Sequence, residues 1–363
     1  MAKIVKLMAE RALLEDSWEA VNDLFYERGW TDGLPIVPPT EQRVLKMLEY
    51  TDREPQEVVA DVPPAGTGAT VEAIAINTVM AGCLPSYLPV IITAVEAMTQ
   101  PEFNLYGLQC TTNPVAPLAI LNGPVAKELD VNSGPNCLGQ GRRSNATIGR
   151  AIRLVLLNIG GAAPGTVDKA TQGQPAKYSF CVAEYEEANP WEPLHVERGF
   201  PREVSTVTVV GASGTTNIIV ASKNGRGILD EVADALGAVG SNNLRYGVGE
   251  PLIVFPPEMA AIVARDGYSK TTAKQYVFEK CGRPVADLPK QFAEEIARRR
   301  EAKVVEVAYP CEKADDIMIM VAGGILCHTT LLPTFGMTTA VTKPIALKNG
   351  SPVASVNDFR KPG

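Results

Sequence analysis

Three clusters of polar residues in this chain have the types and spacing to do chemistry. The first is SGPNCLGQGRRSNATIGRAIRLVLLNIGG, Ser133 to Gly161. Gly134, Gly139 and Gly141 lead into Arg142 and Arg143, and an apolar stripe at helical spacing follows: Ile148, Ile152, Val155, Leu156, Ile159. Ser144 or Asn145 is expected to cap that helix, because a short polar side chain accepts from the unpaired N–H groups of a first turn. Two guanidinium groups beside a helix start and a loop of small residues form an anion site. The same residues also suit a tight turn before a core helix, with both arginines solvated. The spacing is neither a phosphate-loop nor a GxGxxG pattern.

The second cluster, CVAEYEEANPWEPLHVERGF from Cys181 to Phe200, holds Glu184, Glu186, Glu187, Glu192, His195 and Glu197 around Trp191. Carboxylates beside an imidazole exchange protons near neutrality when burial and neighbouring charges move their pKa values. The same oxygen and nitrogen donors also suit a divalent or transition metal, although the spacing matches no fixed metal motif. A polar loop with Trp191 inserted in the core is the plain alternative. The third cluster is GGILCHTTLLPTFG, where Cys327 and His328 follow a glycine turn. A thiolate beside an imidazole is a nucleophile, but adjacent residues on a strand face opposite ways, so each needs a partner from elsewhere; a buried structural cysteine and a capping histidine are the plain alternative. Two single residues complete the set: Asp32 in the turn TDGLP, as a substrate contact or, more simply, as a structural turn residue, and Asn77 in an otherwise apolar helix, facing a polar site or satisfying the backbone.

The chain around these residues has 363 residues, 45% of them hydrophobic and 21% charged, which is enough for a large core. A net charge of −7 argues against a general nucleic-acid binder. No apolar run reaches the roughly 18 residues of a membrane span, and the acidic N-terminus lacks a signal-peptide pattern, so the expected location is cytoplasmic. Seven cysteines without a CxxC pair speak against a disulfide framework or a zinc knuckle. The chain has only two histidines, His195 and His328, so any imidazole chemistry falls to one of them.

Periodicity predicts an amphipathic helix over residues 5–28, a second one capped by Thr40 and running to Tyr50, and two more over Val71–Ala81 and Pro85–Met98, with DVPPAGTGAT as a bridge. From Leu105 the pattern becomes strand, loop, helix. Strands are expected in CTTNPVAPLAILNGP, which ends in a loop, at the start of KYSFCVAEYEEANPW, in VSTVTVVGASG and TNIIVA, and at the starts of PLIVFPPEMAAIVARDG and DIMIMVAGGILCH. Helices are expected over Val125–Leu129, Asn145–Asn158, Ile228–Leu236, the segment PEMAAIVARDG, Lys274–Glu279 and Leu288–Arg300. Continuous apolar strands suit sheets covered on both faces. The expectation is therefore an α/β fold: a mainly helical region over 1–104 packed on an α/β core over 105–363, which carries the site. Ligands in such folds sit at carboxyl ends of strands, here Asn122–Pro124, Gly211–Gly214, Pro256–Glu258 and Gly323–Gly324.

The segments TDGLPIVPPTEQRV, ATVEAIAINTVMAGCLPSYLPV, NGPVAKEL, SNATIGRAIRLVLLNIGGAAPG, KYSFCVAEYEEANPWEPLHVERGF and PLIVFPPEMAAIVARDGYSK together resemble a bacterial family of poorly characterised proteins. Its members tend to accompany small thiol or selenol proteins bearing a UGSC-type motif. That resemblance implies a small thiol or selenol partner protein and sulfur or selenium chemistry; the small protein's own motif is absent here. GGILCHTT departs from the more basic, serine-containing loop expected there, which weakens the case for Cys327 as an essential nucleophile.

The leading expectation is an enzyme. It would hold a small anionic molecule on Arg142, Arg143, Ser144 and Asn145, with Asp32 and Asn77 as further contacts. It would cleave or reduce a carbon–heteroatom bond by acid/base chemistry of Glu184, Glu187, His195 and His328, or with thiol assistance from Cys327 or the partner. A metal-dependent hydrolase or lyase using the two histidines with Glu184 or Glu187, and a non-catalytic scaffold for the thiol protein, are the alternatives. A homo- or hetero-oligomer is expected.

Overall fold

Alternation of apolar residues along the strands decides the architecture. The computed structural model describes residues 6–299 and 305–360. Its N-terminal part runs through helices α1 (Trp18–Glu27) and α2 (Glu41–Leu48), a hairpin of β1 (Val58–Val62) and β2 (Thr67–Thr70), and helices α3 (Val71–Met80), α4 (Leu88–Met98) and α5 (Leu105–Cys110). Next come β3 (Ala116–Asn122), α6 (Pro124–Glu128), α7 (Arg143–Asn158), β4 (Cys181–Ala183), α8 (Leu194–Glu197) and β5 (Thr206–Ala212). The remainder holds β6 (Thr216–Ile219), α9 (Gly225–Leu236), α10 (Asn242–Tyr246), β7 (Leu252–Phe255), α11 (Pro257–Arg265) and α12 (Lys270–Cys281). It continues with β8 (Arg283–Pro284), α13 (Lys290–Arg299), β9 (Val307–Ala308), β10 (Met318–Val321), β11 (His328–Leu332) and β12 (Val341–Pro344).

Two four-stranded mixed sheets form the centre, in the orders β12-β5-β3-β4 and β10-β7-β11-β6. Within them β3–β4 and β7–β10 are parallel and the other pairs antiparallel. Side chains alternate between faces with period two, and each face has its own packing. Ala119 and Leu121 of β3 join Val207 and Val209 of β5 in a cluster with Ile74, Ile91, Val95, Ile152 and Val155 from α3, α4 and α7. Leu118 and Ile120 point the other way, to Leu252, Val254, Met318 and Met320 of the second sheet. Ile253, Phe255, Ile319 and Val321 then meet Leu229, Val232, Ala260, Val263 and Val277 from α9, α11 and α12. The layers are helices, sheet, sheet, helices, so the strands β3, β5, β7 and β10 are buried on both faces and the fold is α/β as expected. The first cluster draws on residues from both sides of residue 104. Among the described residues, no helix is long and apolar enough to cross a membrane.

Several elements differ from the sequence expectation for identifiable reasons. The helix expected over 5–28 is confined to Trp18–Glu27, where Ser17 Oγ accepts from Ala20 N; residue 5 lies outside the described residues. The N–H groups of Met8 and Ala9 are instead bound by the buried Glu72 carboxylate at 2.8–3.0 Å, which fixes residues 6–16 as a non-helical arm. The DVPPAGTGAT bridge is the β1–β2 hairpin, because backbone pairing satisfies its peptide groups where no apolar stripe announces it. Helix α7 starts at Arg143, two residues before the expected Asn145, and Arg142 occupies the cap position without a capping side chain. The helix expected over 274–279 spans all of α12 with Ser269 as its cap. The one expected to end at Arg300 is described through Arg299, and residue 300 lies outside the described residues. HTTLL, not read as a strand, is β11.

Gly149 shows how closely α7 packs on the neck of β4. A Cβ there would collide with the Phe180 backbone and Ser179 Oγ, both in the segment entering β4. Overpacking of this kind costs about 1–3 kcal/mol. Gly149→Ala is therefore expected to lower unfolding free energy by that amount in urea titration, although alanine is the better helix former by about 1 kcal/mol; an unchanged midpoint would show that the α7–β4 contact yields freely.

Candidate functional site

The parallel pair β3–β4 ends in polar residues, and there the chain opens a cleft of about 270 Å³. Its walls are Gly123, Ala126 and Lys127 after β3, Ala183 to Glu187 after β4, and the loop Val131, Ser133, Gly134 and Pro135. The end of β10 closes one side: Tyr185 N donates to Val321 O at 2.7 Å and Gly323 N to Ser133 O at 2.8 Å. Two of the four strand ends singled out from the sequence, Asn122–Pro124 and Gly323–Gly324, thus meet at one place.

Glu184 lies at the base of the cleft and is 4% exposed. Its Oε2 accepts from Asn122 Nδ2 and from Leu194 N, each at 2.7 Å, and its Oε1 accepts from Asn189 Nδ2 at 2.8 Å and weakly from Val321 N at 3.5 Å. Burial raises its pKa above the usual 4.5, against the opposing pull of Lys270 and of these donors. Glu186 is the second carboxylate. Its Oε1 accepts from Gly123 N at 2.6 Å and from the same Asn122 amide at 3.0 Å. Gly123 has a φ of +83°, and a Cβ there would stand 2.7 Å from Ser205 Cα, so only glycine lets this N–H reach the carboxylate. At the rim Glu187 pairs with Lys127, which holds the Glu187 pKa down and the Lys127 pKa up.

His195, on α8, is fully buried, with Nδ1 4.0 Å from Glu186 Oε1 and Nε2 3.3 Å from the Arg202 carbonyl. Burial lowers its pKa below 6.5, opposed by Glu186. It stands behind Glu186 rather than in the cleft wall. Trp191 packs its ring near Phe255 and donates Nε1–H to Tyr268 O at 3.0 Å, which anchors the acidic loop in the second helical layer.

The other expected site residues fall elsewhere. Arg142 pairs with Asp130 at the surface, while Arg143 turns to the Gly82 carbonyl at 2.7–2.9 Å, so the two guanidinium groups diverge. Ser144 and Asn145 are buried inside the first turn of α7 and do not cap it. Ser144 Oγ donates to Asp130 O. Asn145 Nδ2 donates to the carbonyls of Asn132, Cys137 and Cys181, and its Oδ1 accepts from Asn132 N. With every polar atom engaged, Asn145 is a buttress for the loop that walls the cleft. Asp32 is held by two 2.8 Å bonds from Arg150. Asn77 bonds Ala73 O and Asn158; it lines a wider groove of about 1010 Å³ under the N-terminal arm, where Trp18, Trp30 and Phe25 also lie. His328 sits exposed at the start of β11 with Nδ1 3.1 Å from Asn217 Oδ1, and Cys327 is half-buried beside it. Neither lines the cleft. Among the described residues no three His, Cys, Asp or Glu side chains converge to hold a metal ion, so the two histidines and Glu184 or Glu187 are not one ligand set.

Asn122, Glu186, Lys127 and Asn189 belong to the site without having been chosen as site residues from sequence. The strand-end rule pointed to Asn122, and Glu186 lay within the acidic run; Lys127 and Asn189 carried no signal that separates them from surface residues. No protein-family model matches the chain, and no protein of curated function matches it either.

The buried carboxylate gives a signed pH prediction. With its folded-state pKa raised, Glu184 contributes its stability below the unfolded value of 4.5 and loses it as pH rises through the folded value. The stability of wild type relative to Glu184→Gln, which does not titrate, is expected to fall as pH is raised above 4.5. A difference that grows with pH in denaturant titrations would reverse the assignment. Glu184→Ala leaves several buried N–H groups unpaired and is expected to cost about 3 kcal/mol or more.

Proposed function

We propose that this chain is an enzyme that cleaves a carbon–heteroatom bond by acid–base catalysis in the cleft at the ends of β3 and β4. One observation carries the reading: a single buried amide, Asn122 Nδ2, bridges two carboxylates of unequal setting, Glu184 in the interior and Glu186 at the cleft wall. Paired carboxylates held in different environments take different roles. Glu186 faces the substrate and exchanges the proton; Glu184 fixes Asn122 and the surrounding backbone.

The cleft's charge selects the substrate. Three carboxylates line it, and its lysine, Lys127, is committed to Glu187. A small neutral or cationic molecule with N–H or O–H donors suits these walls better than the anion expected from Arg142 and Arg143, which do not converge. Among the described residues no cysteine lines the cleft, Cys327 included, so thiol assistance from this chain is not supported there. Burial pushes the thiols of Cys83 and Cys281 up to about 12 and of Cys137 to about 11, and raises those of Cys181 and Cys311 as well. A sulfur or selenium nucleophile at the cleft would have to come from a partner protein.

The test is turnover of small amines, amides and polyols by the purified chain, followed by mass spectrometry. Glu186→Gln is expected to reduce any activity found by about 10²–10⁴-fold while leaving the melting temperature nearly unchanged, and Glu187→Gln to act chiefly on KM. Full turnover by Glu186→Gln would remove the carboxylate pair from the chemistry.

A further inference from the structure

Among the described residues, five buried side-chain polar atoms lack a protein hydrogen-bond partner, and three of them gather behind the cleft: Asn122 Oδ1, His195 Nδ1 and Thr206 Oγ1. Asn122 and Thr206 are direct cross-strand neighbours on β3 and β5, and both are fully buried. The Asn122 amide binds Glu186, and Glu186 Oε1 is the atom 4.0 Å from His195 Nδ1. Buried polar groups are almost always satisfied, so an orphaned imidazole nitrogen 4.0 Å from a carboxylate, with two further orphans on the strands beside it, marks a place where a small polar molecule completes the bonding.

The tautomer of His195 defines what that molecule must do. A carbonyl only accepts, so the contact of Nε2 with Arg202 O places the imidazole proton on Nε2. Nδ1 then presents a lone pair to Glu186 Oε1, which is also an acceptor. Two acceptors 4.0 Å apart are too far for a direct hydrogen bond and are spanned by one water that donates to both, with about 2.8 Å on each side.

We propose that a buried water joins His195 Nδ1 to Glu186 Oε1, and that His195 stores the proton that Glu186 exchanges with the cleft. This rests on the acid–base reading of the cleft. Glu186 takes a proton from a donor group of the substrate and passes it to the water. The water gives one of its own protons to Nδ1, leaving Glu186 a carboxylate again and His195 an imidazolium. Its Nε2–H stays on Arg202 O. The reverse transfer returns the proton to the leaving group. The charged groups acting on the imidazole are Glu186, which favours the imidazolium, and Arg202 and Lys270, which oppose it together with burial. Lys270 is itself tied to Glu197 on α8 at 2.9 Å, so its position is fixed. His195 is a positioning residue here: it touches no substrate and acts through Glu186.

The experiment is 15N NMR of the full chain labelled at histidine. With only two histidines, His328→Gln assigns the remaining signals to His195. The expected spectrum is a neutral imidazole protonated at Nε2, with a hydrogen-bonded Nδ1 and a titration midpoint below 6.5. Glu186→Gln is expected to move the Nδ1 resonance and to lower the midpoint by about one unit or more, because an opposite charge within reach is lost. If that variant does not fold, Glu186→Asp, which keeps the charge but withdraws the carboxylate by one methylene, is expected to move the Nδ1 resonance and to lower the midpoint by less. A proton on Nδ1, or a His195 signal that ignores both changes, would overturn the inference. Those spectra need no substrate, so inactive protein with the expected spectra would refute only the acid–base function, and active protein with the wrong tautomer would refute only the relay.

Discussion

The Glu184 carboxylate is the interaction on which the site depends. Burying a carboxylate costs several kcal/mol unless its lone pairs are used. Here they are used by groups from four separate parts of the chain: Asn122 at the end of β3, Asn189 in the acidic loop, Leu194 at the start of α8 and Val321 at the end of β10. The shorter of these hydrogen bonds to a charged group are each worth about 1.5–3 kcal/mol, so the set offsets part of the burial, and does so only when all four parts are in place. The same requirement aligns the ends of the two sheets, because β3 and β4 belong to one and β10 to the other.

The layering explains why such a carboxylate can exist there. The interior between the sheets is filled by Leu118, Ile120, Val182, Leu252, Val254 and Met320, which exclude water from the strands but give out where β3 and β4 end. Beyond that point Asn122, Glu184 and His195 replace the apolar residues while remaining buried. The cleft is thus backed by a polar interior that is itself enclosed, a low-dielectric setting in which hydrogen bonds are strong and an unpaired group is costly.

A second shared feature is that residues with the look of ligands serve as supports. Asn145 binds three carbonyls and one N–H to hold the loop 132–137. Asp32 and Arg150 tie the TDGLP turn to α7, and Glu72 secures the N-terminal arm. Each is a polar group whose full bonding capacity is spent inside the protein, which leaves the direct contacts with a ligand to the few groups at the cleft wall.

The sequence by itself determined the α/β class, the apolar strands and the long stripe of α7, because these depend on local periodicity and on continuous runs such as LAIL, LIVF and IMIMV. It also located the acidic segment around Glu184 and His195 and the strand end at Asn122. Only the tertiary structure decided which polar residues meet. Arg142 and Arg143 are neighbours in sequence, yet they diverge because one reaches Asp130 and the other the Gly82 carbonyl. Glu184 and Asn122 are 62 positions apart, yet they bond because β3 and β4 pair in parallel, Leu121 beside Ala183. Side-chain direction at a strand end, and the partners waiting there, come from strand register and layer packing, which no local pattern encodes.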